Sequence, residues 1–323
     1  MSIRRCRANL LGAIVLALPL TATQAQDNWP NKPITLIVPF AAGGPVDQIA
    51  RTIAPELGKE LGQTIIIDNK AGAGGSLGLA ATIKADPNGY TFGFGVPGAI
   101  TVLPHLRKLP YQVKDINYVS LVARVPQVLV VAPDVKANSL QELIAYARQN
   151  PGKLNYASAG NATTPHLGAE LLQQDAGIKM VHVPYKGAAP AIVALLGGEV
   201  QVFAADLSAV QAFVSKGLKI LAVNGASRVE SLPNVPTTTE LGLPGVRVES
   251  NYGMVAPTGT PAAITQRMHD ALVKVVGMAD VSKQLSAQGA QPLTTTAQEY
   301  RQLMEQESAK WAVVVKKSNI TLE

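Results

Sequence analysis

The stretch ITLIVPFAAGGPVDQIARTIAPEL, residues 34–57, passes from a strand pattern to a helix pattern within a few residues. Its first part, Ile34–Val38, is a short apolar run rich in β-branched residues, which is typical of a buried strand. Two glycines follow, and apolar residues then recur at the spacing of a helix, at Val46, Ile49, Ile53 and Leu57. The stretch therefore predicts a strand, a small-residue loop and a helix in immediate succession.

The same succession returns along the rest of the chain. A strand over Thr64–Asp68 is followed by a helix over Ser76–Ala85. Later runs with the length and composition of strands are Thr91–Gly95, Val128–Ala132, Leu154–Ala157, Met180–Val183, Val200–Ala204 and Ile220–Val223. Because these runs are continuously apolar rather than alternating, we expect parallel-rich sheets covered by helices on both faces, which is an α/β fold.

Two later helices have well-marked starts. The sequences SLQE at 139–142 and TAQE at 296–299 match the capping box, in which a hydroxyl and a carboxylate satisfy free backbone N–H groups at a helix start. The second of these helices is expected to run from about Ala297 to Lys317. Its apolar stripe predicts packing into the core and consists of Tyr300, Leu303, Met304, Trp311 and Val315.

Residues 1–25 have the pattern of a secretory signal. Three arginines precede the apolar run Leu10–Leu20, and Thr23–Ala25 offers a small-x-small cleavage site. The run is shorter than the roughly 18 residues of a membrane span. Cys6 stands before that run, where it cannot be the lipid-bearing cysteine of a lipoprotein. We therefore expect an exported, soluble protein without a lipid anchor.

Composition and charge exclude several classes of function. A chain of 323 residues favours about two domains, and removal of the three signal arginines lowers the net charge from +6 to +3. The remaining basic residues form no stripe of the kind that nucleic-acid binding requires. Cys6 is the one cysteine, and the histidines at 105, 166, 182 and 269 have no paired ligand spacing. We expect no nucleic acid, no metal and no cofactor.

Two loops share one physical device. Residues 39–47, PFAAGGPVD, and residues 156–167, YASAGNATTPHL, each lead from a strand through small residues to a proline at a helix start. In the second loop, Thr164 is expected to cap the helix and Pro165 to open it. Such a turn presents backbone N–H groups and the positive end of a helix dipole, which suits a carboxylate or a phosphate. One loop alone would pass for an ordinary turn, and it is the pair that favours binding.

Together with further blocks, these loops resemble the Bug-type solute receptors of tripartite tricarboxylate transporters. The blocks are PFAAGGPVDQIAR at 39–51, GAGGSLG at 72–78, GYT at 89–91, SAGN at 158–161, VPYKG at 183–187 and APTGTP at 256–261. They occur in the family's order and spacing, and the resemblance covers the whole chain after the signal. So many ordered blocks make the match specific, although a single Gly-Gly turn would not be.

The resemblance implies a two-lobed periplasmic-binding-protein fold of type II, the Venus flytrap. Domain 1 would comprise residues 26–123 and 247–323, and domain 2 residues 124–246. The lobes would close on a small carboxylate and deliver it to integral-membrane transporter subunits, so we expect a monomeric receptor and not an enzyme. A carboxylate receptor that reports to a signalling partner is the alternative, and the sequence does not separate the two.

The resemblance also implies the site, in which backbone amides and hydroxyls grip the ligand. The first loop would supply Phe40, Ala41, Gly43, Gly44 and Asp47, and the second Ser158, Gly160, Asn161, Thr163 and Thr164. Phe40 would form a wall. A carboxylate repels an anionic ligand, so Asp47 is expected to accept loop N–H bonds at the helix start. Tyr185 is expected to line the cleft. Lys186 would either line the cleft beside it or be a solvated surface charge.

Two departures from the family pattern bear on the ligand. Val46 stands where a hydroxyl is common in the family, which removes one contact. Ala205-Asp206 stands where the family commonly has an Asp-Asn pair. Asp206 would either face the pocket and favour a ligand with an ammonium or hydroxyl group, or cap a helix over Leu207–Val214.

Two other functions fit the residues less well. Ser158, His166 and Asp206 supply the residue types of a hydrolase triad, but Tyr156 replaces the first glycine of the Gly-x-Ser-x-Gly elbow. The run GAGGSLG at 72–78 follows a strand as a dinucleotide fingerprint would, but Leu77 stands where that fingerprint needs its last glycine.

Overall fold

The computed structural model describes residues 29–318, so the expected signal at 1–25 lies outside the described residues. The strands are β1 (Ile34–Val38), β2 (Ile65–Asn69), β3 (Thr91–Gly95), β4 (Asn117–Val131), β5 (Asn155–Ser158), β6 (Val181–Pro184), β7 (Val202–Asp206), β8 (Lys219–Val223), β9 (Glu249–Ala256) and β10 (Gln291–Pro292). The helices are α1 (Pro45–Leu61), α2 (Ser76–Ile83), α3 (Leu103–Leu106), α4 (Leu140–Gln149), α5 (Thr164–Ala176), α6 (Ala188–Leu196), α7 (Leu207–Val210), α8 (Ala262–Val276), α9 (Ala279–Ala287) and α10 (Ala297–Ser318). A π-helical turn, Gly98–Val102, precedes α3.

These strands form one mixed sheet in the order β2-β1-β3-β9-β4-β7-β5-β6, with β8 and β10 also paired to β4. The outer pairs, β1 with β2 and β3 and β5 with β6 and β7, are parallel as predicted. The centre is antiparallel, because β9 runs against both β3 and β4, and β4 runs against β7 and β8. The expected α/β fold is confirmed, and the mixed centre is the feature that the apolar pattern did not predict.

Strand β4 passes from one half of the sheet to the other. It pairs with β9 as far as Pro126 and with β7 from Gln127 onward. The predicted strand Val128–Ala132 is the end of this longer strand, and β9 was not predicted. Polar residues interrupt β9, but Ser250 and Asn251 are buried and bonded to Asp206 and Arg124. A buried strand tolerates polar side chains when each finds a hydrogen-bond partner.

The helix predictions hold at their starts. The N–H of Glu142 donates to Ser139 Oγ at 3.2 Å, and the N–H of Glu299 donates to Thr296 Oγ1 at 3.2 Å, so both predicted caps form. The box at α10 is reciprocal, since the Glu299 carboxylate accepts the N–H of Thr296 at 2.8 Å, whereas the Glu142 carboxylate accepts the N–H of Asn138, one residue before the cap, at 2.8 Å. The stripe of α10 reaches the core through Tyr300, which is fully buried. Within residues 29–318, no helix combines the length and the hydrophobicity that a membrane span requires.

Tyr300 packs directly on Gly253 in the middle of β9, and this contact leads to a prediction. A Cβ added there would lie 2.4 Å from the Tyr300 ring and 2.7 Å from the Ser120 carbonyl oxygen. Overpacking of this kind costs roughly 1–3 kcal/mol, so Gly253→Ala should lower the free energy of unfolding by that amount. Gly225→Ala, where a Cβ has its nearest neighbour at 3.9 Å, is the control in urea unfolding. Equal stability of the two variants would contradict this packing.

Candidate ligand-binding cleft

The first loop joins β1 to α1 and is held by one buried carboxylate. Asp47 is 2% exposed and accepts hydrogen bonds from the N–H of Gly43 at 2.8 Å, from Asn69 Nδ2 at 3.0 Å and from Arg51 Nε at 2.8 Å. Burial alone would raise the pKa of Asp47, but these bonds outweigh it and lower the pKa. The expectation that Asp47 accepts a loop N–H bond is confirmed. The carboxylate braces the loop and the start of α1 from behind.

Phe40 stands at the front of the same loop. Its ring is half-buried and faces two neighbouring spaces between the loops. Its carbonyl oxygen accepts a hydrogen bond from Asn69 Nδ2 at 3.0 Å. Asn69, at the end of β2, therefore joins the backbone of the loop to Asp47. Proline opens α1 at its first turn, as the sequence predicted.

The second loop joins β5 to α5 and is held by its own hydroxyl groups. Ser158 is fully buried, and its Oγ accepts a hydrogen bond from the N–H of Gly160 at 3.1 Å. Thr163 Oγ1 donates to the carbonyl of Gly160 at 2.7 Å. Ala162 has a φ of +62°, which a residue with a side chain adopts only when its surroundings hold it there. The loop is thus a tight turn that places small residues at its tip.

The predicted cap of α5 was wrong by one residue. Thr163, not Thr164, occupies the capping position, and it makes no side-chain capping bond. The hydroxyl of Thr164 instead lies 2.7 Å from that of Ser250 on β9, in a buried contact. No local pattern predicts this contact, because Thr164 and Ser250 are far apart in the chain. The start of α5 is therefore attached to the central strand.

Asp206 belongs to the same buried network. It lies at the end of β7, where it accepts hydrogen bonds from Ser250 Oγ at 2.7 Å and from the hydroxyl of Tyr252. Burial raises its pKa to about 6, although these two bonds oppose the shift. Asp206 occupies the N-cap position of α7, as the capping alternative expected, but its side chain makes no capping bond there. Asp206 lines the narrow space between the loops, with both oxygens engaged by β9.

Glycines on the side of the first loop touch the backbone of the second. A Cβ added to Gly74 would lie 2.5 Å from the Asn161 carbonyl oxygen, and one added to Gly98 would lie 2.5 Å from the Ala162 carbonyl oxygen. Real Cβ contacts under 3.0 Å are essentially never seen. The contact at Gly187, beyond β6, is looser, since a Cβ added there would lie 3.5 Å from the Ala41 nitrogen, which is an ordinary distance. The two sides therefore meet backbone to backbone.

Two spaces remain between the loops. A narrow one of about 20 Å³ lies among Phe40, Gly44, Thr163, Thr164 and Asp206 and has room for about one water-sized group. A larger cavity of about 250 Å³ lies beside it. The larger cavity is lined by Phe40, Gly72, Ala73, Gly74, Leu103, Arg107, Ala159, Gly160, Asn161, Pro184, Tyr185 and Lys186. An open groove of about 770 Å³ between α1 and β2 contains neither loop.

The structure separates the predicted site residues into three groups. Those that line either space are Phe40, Gly44, Gly160, Asn161, Thr163, Thr164, Tyr185 and Asp206. Gly43, Asp47 and Ser158 lie behind the loops, and Ala41 contacts Gly187. Sequence reasoning missed Gly74, Gly98, Leu103 and Arg107 as parts of the cleft. Gly74 belongs to a third loop, residues 72–75, in which the non-glycine Ala73 has a φ of +50°.

Three aromatic rings stack beneath the second loop. The His166 and His182 ring centroids are 4.1 Å apart, and Tyr156 stacks on His182 at 4.8 Å. Ser158 Oγ lies 2.6 Å from Nε2 of His182, and His166 Nδ1 accepts the N–H of Ala162 at 3.1 Å. Ser158, His166 and Asp206, the triad that the sequence already disfavoured, are therefore not assembled as one. Among the described residues, no three His, Cys, Asp or Glu side chains are grouped for a metal ion.

The mixed sheet and the paired loops define a class of protein, a two-lobed receptor with the periplasmic-binding-protein fold. Residues 49–320 match the profile described as "Tripartite tricarboxylate transporter family receptor". The chain belongs to this family of Bug-type receptors. BugT from Bordetella pertussis (strain Tohama I) is 34% identical over 321 residues, which cover 97% of this chain and 98% of BugT.

Solved structures support the same assignment. A structure of an R. palustris protein with adipate has a TM-score of 0.87 and 34% identity, and the match covers 91% of this chain and 99% of that one. A structure of MatC from Rhodopseudomonas palustris with bound malate has a TM-score of 0.85 and 31% identity, with 89% of this chain and all of that chain covered. The expected two-lobed fold is confirmed by these neighbours.

The stacked histidines predict how acid affects stability. Burial lowers the pKa of His182 to about 4 and that of His166 to about 3, with the charge of His182 adding to the shift of His166. An unfolded histidine takes up a proton near pH 6.5, so the unfolded state binds more protons between that pH and about pH 4, and stability falls as the pH falls. Asp206 opposes this trend, because its raised pKa lets the folded state bind more protons below about pH 6.

His182→Gln isolates the histidine effect, since the variant keeps Asp206. Between about pH 7.5 and about pH 5, it should lose less stability than the natural protein, by on the order of 1 kcal/mol after allowance for partial exposure of the ring. Denaturant unfolding at both pH values measures the difference. An equal loss in both proteins would show that His182 titrates normally in the fold.

Proposed function

We propose that this chain is an extracytoplasmic receptor that binds a small carboxylate between its two lobes and delivers it to a tripartite tricarboxylate-type membrane transporter. The observation that carries the proposal is the facing pair of loops, each at the start of a helix, around a shared enclosed space. Adipate and malate, both carboxylates, are held by similar receptors. Binding rather than catalysis is the function proposed, and it requires no cofactor.

The first carboxylate group of the ligand would lie in the narrow space. There the starts of α1 and α5 approach each other, and the positive ends of both helix dipoles stabilise negative charge. Gly44, Thr163 and Thr164 line that space, and Phe40 would cover the apolar part of the ligand. The space of about 20 Å³ is small, so entry of the carboxylate would require the lobes to separate and close again.

The remaining residues of the proposed site would either hold the loops in shape or contact the ligand at the edge of the cleft. Asp47 and Ser158 would hold the two loops in shape through the N–H groups of Gly43 and Gly160. Tyr185 would contact the ligand in the larger cavity. Asp206 faces the narrow space but is occupied by Ser250 and Tyr252, so it would fix the geometry rather than select an ammonium group.

The proposed lobes are residues 26–123 with 247–323, and residues 124–246. The change of partner along β4 at Pro126–Gln127 supports the first boundary, and the start of β9 at Glu249 supports the second. Both crossings lie next to each other in the sheet, which suits a hinge of two strands. Export through the signal at residues 1–25 and action as a monomer complete the proposal.

Binding is tested by thermal unfolding of residues 26–323 with a panel of small carboxylates. A ligand that binds only the folded state stabilises it by RT ln(1 + [L]/Kd), so the carboxylate that fits should raise the unfolding temperature. Gly98→Ala should abolish this effect, because the added Cβ would meet the Ala162 carbonyl as the lobes close. Gly98 has no positive φ, so the substitution introduces no local backbone strain.

Gly225→Ala is again the matched control, since its Cβ would have only ordinary contacts. It should respond to carboxylates as the natural protein does. If Gly98→Ala keeps the full response, the contact across the cleft plays no part in binding. If no carboxylate shifts the natural protein, even after unfolding and refolding to release a ligand bound during expression, the proposed function is wrong.

A further inference from the structure

The larger cavity is lined by two cationic side chains that lie outside the two predicted binding loops. Arg107, which follows α3, and Lys186, which precedes α6, line it from opposite sides. No Asp or Glu is among the residues that line it. Neither cation forms an ion pair with any of the described residues, whereas lysines and arginines such as Arg51, Arg228 and Lys274 do. The cavity therefore holds two positive charges without a counter-charge.

Arg107 is held in place rather than free in solvent. Its Nη2 donates to Ser76 Oγ at 3.0 Å and to the carbonyl oxygen of Ala73 at 3.3 Å. Ala73 lies in the third loop, next to the Gly74 backbone that touches Asn161, and Ser76 is the first residue of α2. These two bonds use one nitrogen of the guanidinium group, which leaves its other donors for a further partner.

Lys186 comes from the other lobe. It lies in the turn between β6 and α6, beside Tyr185 and Gly187, and its side chain is exposed. Burial raises the pKa of the neighbouring Tyr185, and the negative charge of Glu199 adds to this shift. Glu199 itself does not line the cavity. Tyr185 lines the same cavity and adds a neutral hydrogen-bonding group to it.

We propose that Arg107 and Lys186 bind a second anionic group of the ligand, so that this receptor selects acids with two negative charges over acids with one. This inference rests on the proposed function, because it assumes that the first carboxylate lies at the helix starts. Charge-assisted hydrogen bonds from a guanidinium group to a carboxylate are among the stronger polar contacts, and two cations in one cavity disfavour an uncharged or ammonium-bearing end. Since one cation comes from each side, the second anion also joins the two lobes.

The test compares diacids with analogues that lack one charge. Succinate, glutarate and adipate are each paired with their monomethyl ester, and affinities for residues 26–323 are measured by calorimetry. We expect the best diacid to bind at least about tenfold more tightly than its ester. That preference should shrink as the salt concentration rises, because both cations are partly exposed.

Arg107→Gln and Lys186→Gln should each reduce the preference, and the double variant should bind diacid and ester equally. Arg107→Lys restores the charge and should recover part of the preference. Arg267→Gln is the matched control, since Arg267 is an exposed arginine outside the cavity. Unfolding temperatures without ligand confirm that each variant is folded, and all three cationic positions are on the surface.

The outcomes separate this inference from the function on which it rests. If esters and diacids bind the natural protein equally well, or if the double variant keeps the preference, the assignment of Arg107 and Lys186 is overturned while carboxylate binding stands. If neither diacids nor esters bind, the proposed function and this inference fall together. Loss of the preference in the double variant, with ester binding retained, confirms the inference.

Discussion

Backbone contact between the two sides of the cleft is the constraint on which the site depends. At Gly74 and Gly98, a Cβ would lie only 2.5 Å from carbonyl oxygens of the second loop. Side chains at these positions would overlap with the backbone of the second loop, so the two sides could not approach this closely. With glycine there, the starts of α1 and α5 face each other, and the helix dipoles act on the same small volume. Phe40, Thr163 and Arg107 line the two spaces that remain between the sides.

Each loop is braced from behind by a buried polar group. Asp47 accepts hydrogen bonds from Gly43, Arg51 and Asn69. Ser158 and Thr163 both form hydrogen bonds with the backbone of Gly160. Such groups are satisfied within the protein and so hold a shape without offering the ligand a competing charge. The network of Thr164, Ser250, Tyr252 and Asp206 attaches the second loop's helix and β7 to the crossing strand β9. A shift of β9 would therefore be transmitted to the loop.

The sequence predicted the parts of the molecule that local patterns control. Each predicted strand lies within two residues of an observed one at its start or end, and Asp47 and both capping boxes follow from short-range chemistry. The antiparallel centre could not be predicted in this way, because β9 mixes apolar with polar residues that are satisfied only by distant partners. The misplaced cap at Thr164 has the same cause, since Ser250 lies elsewhere in the chain. Arg107 and Gly98 carry no local signature, and only the folded chain brings them to the cleft.

The central claim is that the lobes close on the ligand through this glycine-lined contact. Residues 26–323 contain no cysteine, so Leu77→Cys and Val193→Cys introduce two unique labelling sites. Both side chains are exposed, on α2 and α6, in opposite proposed lobes. Spin labels at these positions report the distance between the lobes with and without the tightest carboxylate. The account predicts a shorter and narrower distance distribution when the ligand is bound. A distribution that stays unchanged at saturating ligand would contradict it.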